Sequence, residues 1–472
     1  MLNILIGMVR VKFAAILIGP AGVGLLGIYN QIIALIATAT GMGIGNSGVR
    51  QVAEAVGSND DERIARTVIT LRRTAWLTGA LGMLVMIILC VPISRVTFGT
   101  SNYAISVALL GVTLLFSAIT TGQACLLRGA RRIADIARIT VISAFGGTLI
   151  SVPCFYLWGI RGIVISQILS SIAVLATSWW YARRFQTVPL MVSWPESRIE
   201  ARSLLSLGIS FMGAALATSA TAYAIQALLV RHFSLADAGI YQAAYNLSGV
   251  LVGFVLGAMG ADYYPRLTAI AGDHSGVHRM VNEQSQVSVL LALPALAAMM
   301  VFAPLIIQFF YSASFAAAVP LLRWCILGIL GRVFSWPIGF VMLAQGKGTI
   351  YFATEAFACG LHLAAVALFT RIWGLDGAGI AFMALYIFYT GLMLIVMRRL
   401  VGETWTRQTL KLILISTTIM LLLIINCRLN SNLIGAWSIN ICILSMVAYY
   451  CLNQLLSKSQ LGLHELFARL RG

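Results

Sequence analysis

The chain has 472 residues, of which 60% are hydrophobic and only 10% are charged, and its formal net charge is +17. A soluble domain is about half apolar and about a quarter charged, so this composition excludes an ordinary soluble protein and predicts lipid as the solvent. Apolar runs of about 18 to 22 residues recur along the chain, which is the length a helix needs to cross the hydrocarbon core. The runs do not alternate with period two, so helices are favoured over a β-barrel.

Fourteen of these runs are predicted to be membrane-spanning helices. We predict that the first twelve form two pseudo-symmetric lobes of six helices, residues 1–185 and 207–400, joined by a cytoplasmic linker at 186–206. Two additional helices and a cytoplasmic tail occupy residues 401–472. In chain order the predicted spans are 1–18, 23–45, 74–93, 104–124, 139–157, 163–181, 207–230, 240–260, 287–308, 320–344, 350–371, 377–397, 409–426 and 434–452.

The basic residues lie mostly on one side of this arrangement. Of the 32 lysines and arginines, the connections on the opposite side contain only Arg95, Arg161, Arg231, Arg371 and Arg428. Cytoplasmic loops of membrane proteins carry an excess of lysine and arginine. The pattern therefore predicts that both termini are cytoplasmic, and basic loops beside an anionic leaflet explain the net charge without a nucleic-acid partner.

The chain resembles itself at a spacing of about 212 to 217 residues. Each repeat contains six spans, an even number, so the two halves enter the membrane in the same sense, as in transporters with parallel repeats. Such halves face a central cavity and expose it to each side in turn. The matching strings are Gly-Ile-Tyr at 27–29 and 239–241, Trp-Gly at 158–159 and 373–374, and the loops 128–131 and 345–347.

Four basic residues fall inside predicted spans, where a charge is costly and usually faces a cavity or a partner. Arg332 lies near the middle of its span, too deep to reach the interface, so a cavity role is favoured over a structural ion pair. Arg323 lies three residues after Pro320, and its side chain can reach the outer interface, which is favoured over a role in binding the cargo. For Arg10 and Lys12 the cavity and the interface are equally favoured.

Acidic residues within the spans are fewer. Glu355 can pair with Lys347 or carry a coupling proton. Asp262 is the second coupling candidate, although a helix-end ion pair with Arg266 four residues later is favoured for it. Amide side chains near the starts of the paired second and eighth spans can bind sugar hydroxyls or link helices to one another. They are Asn30, Gln31, Gln242 and Asn246.

A cavity lined by arginine and lysine favours an anionic cargo, and the planar guanidinium is suited to phosphate because it binds two oxygens at once. The sequence contains no nucleotide-binding loop, no catalytic triad and no cluster with metal-ligand spacing. We therefore predict a transporter with no cofactor and no bound metal, and the 8 scattered cysteines are interpreted as small buried hydrophobic side chains.

Several strings resemble the bacterial O-antigen and enterobacterial-common-antigen translocases, in the polysaccharide-export branch of the MATE-like superfamily. The most specific is a Gly-Pro turn, 19–25, shortly after Lys12 in the first span, with Gln31 beyond it. The similarity covers roughly residues 1–400 in order. The other strings are 41–44 and 49–54 in the first half, and 238–242 and 264–267 in the second.

The resemblance implies a MATE-like fold in the bacterial inner membrane and a flippase for an undecaprenyl-pyrophosphate-linked oligosaccharide. It also implies that Lys12 occupies the family's basic position in the first span. A proton or sodium gradient can drive such transport, and polymerase and chain-length proteins of the same pathway are the expected partners. The alternatives are a multidrug or cation antiporter of the same superfamily, disfavoured because the first span has no acid, and a membrane polysaccharide polymerase, disfavoured by short outer loops.

Overall fold

The computed structural model describes residues 2–185, 188–190, 192–429 and 434–470, and over these ranges the chain is helical and contains no β-strand. Two short 3-10 turns, Gly159–Arg161 and Ala313–Phe315, interrupt the α-helices. The helices in chain order are α1 (Leu2–Leu17), α2 (Gly19–Gly41), α3 (Ile44–Gly57), α4 (Asp61–Phe98), α5 (Ala104–Gly129), α6 (Ile133–Trp158), α7 (Gly162–Ala182), α8 (Trp194–His232), α9 (Leu235–Ala269), α10 (His274–Val301), α11 (Ala303–Phe310), α12 (Ala318–Ala344), α13 (Gly348–Trp373), α14 (Asp376–Val401), α15 (Arg407–Leu429) and α16 (Ile434–Leu470).

Every predicted span overlaps one of these helices, although 287–308 runs from α10 across a break at Phe302 into α11. The prediction of an all-helical membrane protein is confirmed. Within the described ranges, eleven helices are long and apolar enough to cross a membrane, or twelve if the bent α9 counts as one span. The count of twelve includes residues 133–182 as a single stretch, although this stretch contains both α6 and α7. It also omits α1, which has only 16 residues. It is therefore consistent with about fourteen crossings.

The second predicted span runs too far. It was expected to end at 45, but α2 ends at Gly41 because Met42 and Gly43 take left-handed conformations, with φ of 47° and 70°. The chain then begins α3, a separate helix with the charged residues Arg50 and Glu54 on it. A left-handed pair ends a helix, and apolar composition alone does not reveal that conformation.

The chain divides into two compact units. The first comprises residues 1–242 and 310–314, and in it α4 packs along α5, α6 along α7, and α1 along α6. Its core is formed by fully buried side chains such as Ile28, Tyr29 and Leu110. The second comprises residues 243–309 and 315–472, and in it α12 packs along α14 around a core that includes Met393 and Met397.

The internal repeat is visible in the backbone of the paired loops. Arg131 and Gly346 are both left-handed, with φ of 55° and 69°. In each loop the next N–H donates to the carbonyl five positions earlier, at 2.9 Å from Arg132 and 2.8 Å from Lys347. The two turns therefore have the same hydrogen bonds in a register of 215 residues, within the range that the sequence predicted.

The second pair of turns agrees in the same register. Gly159 and Gly374 both have positive φ, 53° and 60°. Three residues later, Gly162 and Gly377 pack so closely that a Cβ on either would collide with the carbonyl oxygen eight residues before it. The Trp-Gly strings are thus conserved between the halves because only glycine fits these backbone positions.

The internal repeat is also visible in the side chains that cap two helices at their N-termini. Asp60 accepts hydrogen bonds from the backbone at the start of α4, and Asp273 does the same at the start of α10. The hydroxyl of Ser275 also donates to Asp273 at 2.8 Å, and these hydrogen bonds hold the pKa of the Asp273 carboxyl below its usual range. Capping side chains satisfy the free N–H groups of a helix start.

Candidate functional site

The predicted site residues divide between the two compact units. The first unit contains Arg10, Lys12, Asn30, Gln31 and Gln242. The second contains Asn246, Asp262, Arg323, Arg332 and Glu355. We describe the environment of each group within its own unit.

Arg10 is half-buried on α1, which packs along α6. Its Nη1 atom lies 3.4 Å from the position that a Cβ would occupy on Gly147 of α6, and the hydroxyl oxygen of Ser170 of α7 lies 3.9 Å from the same point. Lys12 is also half-buried. Residues two positions apart on a helix point in different directions, so Arg10 and Lys12 do not share one face of α1.

Asn30 is linked to another helix by a hydrogen bond that the sequence did not predict. Gln167 of α7 donates from Nε2 to the side-chain oxygen of Asn30 at 2.9 Å. Asn30 is exposed and Gln31 is half-buried. An amide side chain inside an apolar run indicates an interhelical contact or a cavity. By that criterion, Gln167 could have been predicted from the sequence as a further candidate site residue.

Gln242 lies against α2 at Gly27 and beside Gln226, which is near the C-terminal end of α8. Its Oε1 atom and the Nε2 atom of Gln226 are each 3.2 Å from the point where a Cβ on Gly27 would lie. Gln226 is buried and donates to the carbonyl of Ala238 at 3.3 Å. These contacts favour the interhelical role that the sequence left open for Gln242, and Gln226, which was not predicted, belongs to the same cluster.

In the second unit, Arg323 is held by main-chain groups. Its guanidinium donates to the carbonyls of Met300 and Cys427, both at 3.4 Å. These carbonyls lie near the C-terminal ends of α10 and α15, where helices leave carbonyl groups without an intrahelical partner. The hydrogen bonds favour an anchoring role for Arg323 over contact with a cargo.

Arg332 has a different environment. It is exposed on α12 and lies close enough to Tyr245 and Tyr386 to act on them electrostatically. Gly331 makes this possible, because the Cβ of Tyr386 lies only 2.8 Å from where a Cβ on Gly331 would be. An exposed guanidinium beside tyrosine hydroxyls is available to an anionic ligand.

Glu355 is half-buried on α13 and accepts a hydrogen bond at 2.6 Å from the hydroxyl of Tyr389 on α14. Tyr389 in turn lies edge-on to Tyr386, with ring centroids 6.1 Å apart. Tyrosines therefore connect the surroundings of Glu355 and Arg332 within one unit. Nothing in the sequence indicated Tyr389, because a tyrosine in an apolar span is usually part of the packing.

Asp262 and Asn246 lie at the surface of α9. Asp262 accepts from Arg266 at 3.1 Å, and both side chains are well exposed. The pair joins residues four apart on one helix, as the sequence suggested, and such an exposed pair contributes little to stability. Asn246 is exposed as well.

A cavity of about 210 Å³ opens in the first unit where α2 breaks before α3. Its walls combine glycines and hydroxyl side chains with apolar ones such as Ile44, Leu114 and Met212, and none of the described residues that line it is charged. The glycines of the string 41–44, one of those that carry the family resemblance, line it, which gives that string a structural purpose. The lining includes Thr38, Thr40, Gly45, Thr78, Ser117 and Thr121.

Residues 14–320 match the protein family described as "Polysaccharide biosynthesis protein". The chain belongs to this family. The family assignment agrees with the resemblance noted in the sequence, and it covers all of the first compact unit except its first residues.

Two curated relatives cover most of the chain. The lipid III flippase of Escherichia coli (strain K12) is 25% identical over 395 residues, which are 82% of this chain and 92% of that protein. The lipopolysaccharide biosynthesis protein WzxC of the same strain is 22% identical over 416 residues, 86% of this chain and 80% of that protein.

Solved structures of low identity share the fold. An inward-facing multidrug resistance MATE family transporter of the MOP superfamily superposes with a TM-score of 0.69 at 15% identity, covering 84% of this chain and 95% of that one. The lipid II flippase MurJ in an inward closed conformation gives a TM-score of 0.62 at 13% identity, covering 97% and 100%. The predicted MATE-like fold is therefore confirmed.

Proposed function

We propose that this protein is a flippase that moves an undecaprenyl-pyrophosphate-linked oligosaccharide from the cytoplasmic to the periplasmic leaflet for surface polysaccharide biosynthesis. The observation that carries the proposal is the similarity to a lipid III flippase over 92% of that protein's length. Membership of the polysaccharide biosynthesis family supports it. The protein is a transporter and not an enzyme in this proposal, and it works by alternating access.

The location in this proposal is the bacterial inner membrane with both termini in the cytoplasm. The support is the concentration of basic residues in one set of loops. Outward movement of a diphosphate is electrically downhill across a membrane that is negative inside. The released unit would then pass to the polymerase and chain-length proteins of the same pathway.

The cargo's diphosphate would meet arginine side chains, of which Arg332 and Arg10 are the best placed. Arg332 is exposed beside tyrosine hydroxyls, whereas Arg323 already donates to two carbonyls. Glu355 is the candidate for coupling to a proton or sodium gradient, because it is the one carboxylate in the α13 sequence and it is oriented by Tyr389.

A multidrug or cation antiporter is the second candidate, and the specific observation in its favour is the TM-score of 0.69 with a MATE multidrug transporter. A cationic drug needs an acidic group to bind it, and α1 contains Arg10 and Lys12 but no acid. The charge of α1 therefore favours an anionic cargo.

The test is a deletion of the gene in its host, followed by assay of the surface polysaccharide and of the lipid-linked units in each leaflet. Loss of the polymer with single units accumulating on the cytoplasmic face supports the flippase and identifies the sugar. Normal polymer with altered drug sensitivity would replace the proposal by the antiporter. Single units that reach the outer face without polymerising would indicate a polymerase.

A further inference from the structure

The C-terminal end of α7 carries two arginines whose guanidinium groups lie against aromatic rings. The guanidinium carbon of Arg183 lies 3.8 Å from the ring centroid of Trp180 and 5.0 Å from that of Trp179. The guanidinium carbon of Arg184 lies 4.9 Å from the ring centroid of Tyr181 and 5.8 Å from that of Trp180. A cation over an aromatic face is attracted to the ring, most strongly to tryptophan. The rings therefore restrict where the two positive charges lie.

These two cations are accessible from outside the protein. Arg183 and Arg184 are exposed, and the side chains of Trp179 and Trp180 are 54% and 48% exposed. In the part of the chain that the structure describes, neither arginine takes part in an ion pair. The sequence of α7 itself contains no acid.

A neighbouring cation, Arg132, is engaged differently. Its Nη2 atom donates to the carbonyl of Arg184 at 3.5 Å, and its Nη1 atom lies 3.9 Å from a carboxylate oxygen of Asp135. Asp135 also pairs with Arg138 at 3.4 Å. The acid beside this end of α7 is thus shared between two other arginines, and the charges of Arg183 and Arg184 are left for a ligand.

The face of α7 that carries Arg183 is apolar over the rest of the helix. Ile165, Leu169 and Ile172 are 39 to 43% exposed, and we call these three residues the α7 stripe. They precede Trp179 and Arg183 at intervals of three, four or seven residues, so all five lie on one face. The backbone N–H of Arg183 donates to the carbonyl of Trp179 at 2.9 Å, so Arg183 continues the helical register. It lies about 27 Å beyond Ile165, close to the thickness of the hydrocarbon core.

The order of side chains on this face matches the chemistry of a phospholipid. The α7 stripe is suited to acyl chains, and tryptophan is enriched at the membrane–water interface, where the chains meet the headgroup. The guanidinium is suited to the phosphate because its planar fork binds two oxygens at once. Two cations without an acidic partner favour a headgroup with a net negative charge over a zwitterionic one.

The internal repeat contains a second arginine pair that lacks the tryptophans. A register of 215 residues matches Arg183 and Arg184 with Arg398 and Arg399, which are exposed in the last turn of α14. The positions that correspond to the two tryptophans are residues 394–395, a leucine and an isoleucine. The two pairs therefore have the same charge and are both exposed, but they differ in the side chains one turn before them.

We propose that Arg183 and Arg184, held by Trp179 and Trp180, form a binding site for the headgroup of an anionic phospholipid whose acyl chains lie along the α7 stripe. The ligand is a resident lipid of the bilayer and not the cargo. The site therefore does not depend on the flippase function proposed above.

The test uses the purified full-length protein in detergent and native mass spectrometry, which counts the lipids bound to the intact protein. Phosphatidylglycerol and phosphatidylethanolamine with the same acyl chains are the probes, because their headgroups differ in net charge. The double variant Arg183→Gln/Arg184→Gln is compared with Arg398→Gln/Arg399→Gln, which removes the same charge from the matching end of α14. Thermal unfolding without added lipid establishes that both variants are folded.

We expect the wild type to bind its first phosphatidylglycerol about tenfold more tightly than phosphatidylethanolamine. Arg183→Gln/Arg184→Gln should lose about tenfold in affinity for phosphatidylglycerol, since each arginine near an anionic headgroup contributes to its binding. The affinity of this variant for phosphatidylethanolamine should not change. The control, Arg398→Gln/Arg399→Gln, should bind both lipids like the wild type.

A third variant separates the ring from the charge. Trp180→Leu keeps both arginines and an apolar side chain, and it should weaken phosphatidylglycerol binding severalfold because it removes the ring that positions Arg183. Equal losses of affinity in the two double variants would overturn the site, because positive charge alone would then explain the binding. A wild type without preference for phosphatidylglycerol, or an unchanged affinity in Arg183→Gln/Arg184→Gln, would overturn it as well.

Discussion

The hydroxyl of Tyr389 donates a hydrogen bond of 2.6 Å to the carboxylate of Glu355, and through it α14 orients the one acid in the sequence of α13. A charge-assisted hydrogen bond of this kind is short and strong. It holds the carboxylate in one orientation beside Tyr386 and Tyr389. This fixed orientation is the reason that we propose Glu355 for coupling to a proton or sodium gradient.

The first prediction concerns coupling. We expect Glu355→Gln, which keeps the shape and removes the ionisable group, to abolish any dependence of transport on the proton or sodium gradient. Tyr389→Phe should retain the dependence and lower the rate about tenfold, because it removes one hydrogen bond to a charged group. Reconstituted vesicles with an imposed gradient provide the measurement. Gradient-dependent transport by Glu355→Gln at the wild-type rate would exclude this residue.

The second prediction separates two arginines of α12. We expect Arg332→Ala to lose about tenfold or more in polymer export without a change in Tm, because its exposed guanidinium is available to the cargo. Arg323→Ala should lower the Tm, since it removes two hydrogen bonds to main-chain carbonyls. The molecules of this variant that do fold should still transport the cargo. Full polymer export by Arg332→Ala at normal expression would remove this residue from the cargo site.

The third prediction concerns the attachment of α15. Asn282 is buried and accepts from the backbone N–H of Thr406 and the hydroxyl of Thr409, both at 2.8 Å, while its amide donates to the carbonyl of Thr404 at 3.4 Å. We expect Asn282→Ala to destabilise the protein by about 2 to 4 kcal/mol, because several buried groups lose their partner together.

The measurement for Asn282→Ala is thermal unfolding in detergent, and its control is Thr418→Ala. The hydroxyl of Thr418 is exposed and donates only to its own helix, at Leu414. The control should change the Tm little. Equal Tm values for the two variants would show that Asn282 does not hold α15 in place.

The fourth prediction tests the uncharged cavity of the first unit. A Cβ on Gly45 would have its nearest neighbour at 3.8 Å, the methyl group of Thr121, so Gly45→Leu can fill the cavity without a clash at its Cβ. We expect polymer export to fall at least severalfold if the cavity takes part in transport. Gly57→Leu is the control, because Gly57 is exposed on the same helix with open space around it. Equal export by the two variants would assign the cavity no part in transport.

Much of the fold could be predicted from the sequence. The spans are long apolar runs, and the length of such a run can be counted directly in the sequence without knowledge of the tertiary contacts. The repeat was also visible, because glycines such as Gly159 and Gly374 are required by the same backbone conformation in both halves. The end of α2 was missed, since the left-handed conformation of Met42 is a property of the folded backbone and not of its composition.

The candidate site was predicted less completely. Charge and depth pointed to Arg10 and Arg332 and placed Arg323 nearer the outer interface. They did not predict the carbonyls of Met300 and Cys427 that hold Arg323, because these carbonyls come from other helices. The roles of the predicted residues in binding and coupling remain predictions that the variants above can test.

The amino-acid sequence alone was enough to establish that this is a polytopic helical membrane protein with an internal repeat and cations in its first span. Each of these properties depends only on residues that are close together in the chain, either through their summed hydrophobicity and charge or through the local backbone conformation that they require. The tertiary structure alone decided that Tyr389 meets Glu355, and that Arg10 meets Gly147 and Ser170. Helical periodicity specifies which residues share a face, but not which helix packs against that face. Residues on different helices, such as Glu355 and Tyr389 or Arg10 and Gly147, become neighbours only through that packing.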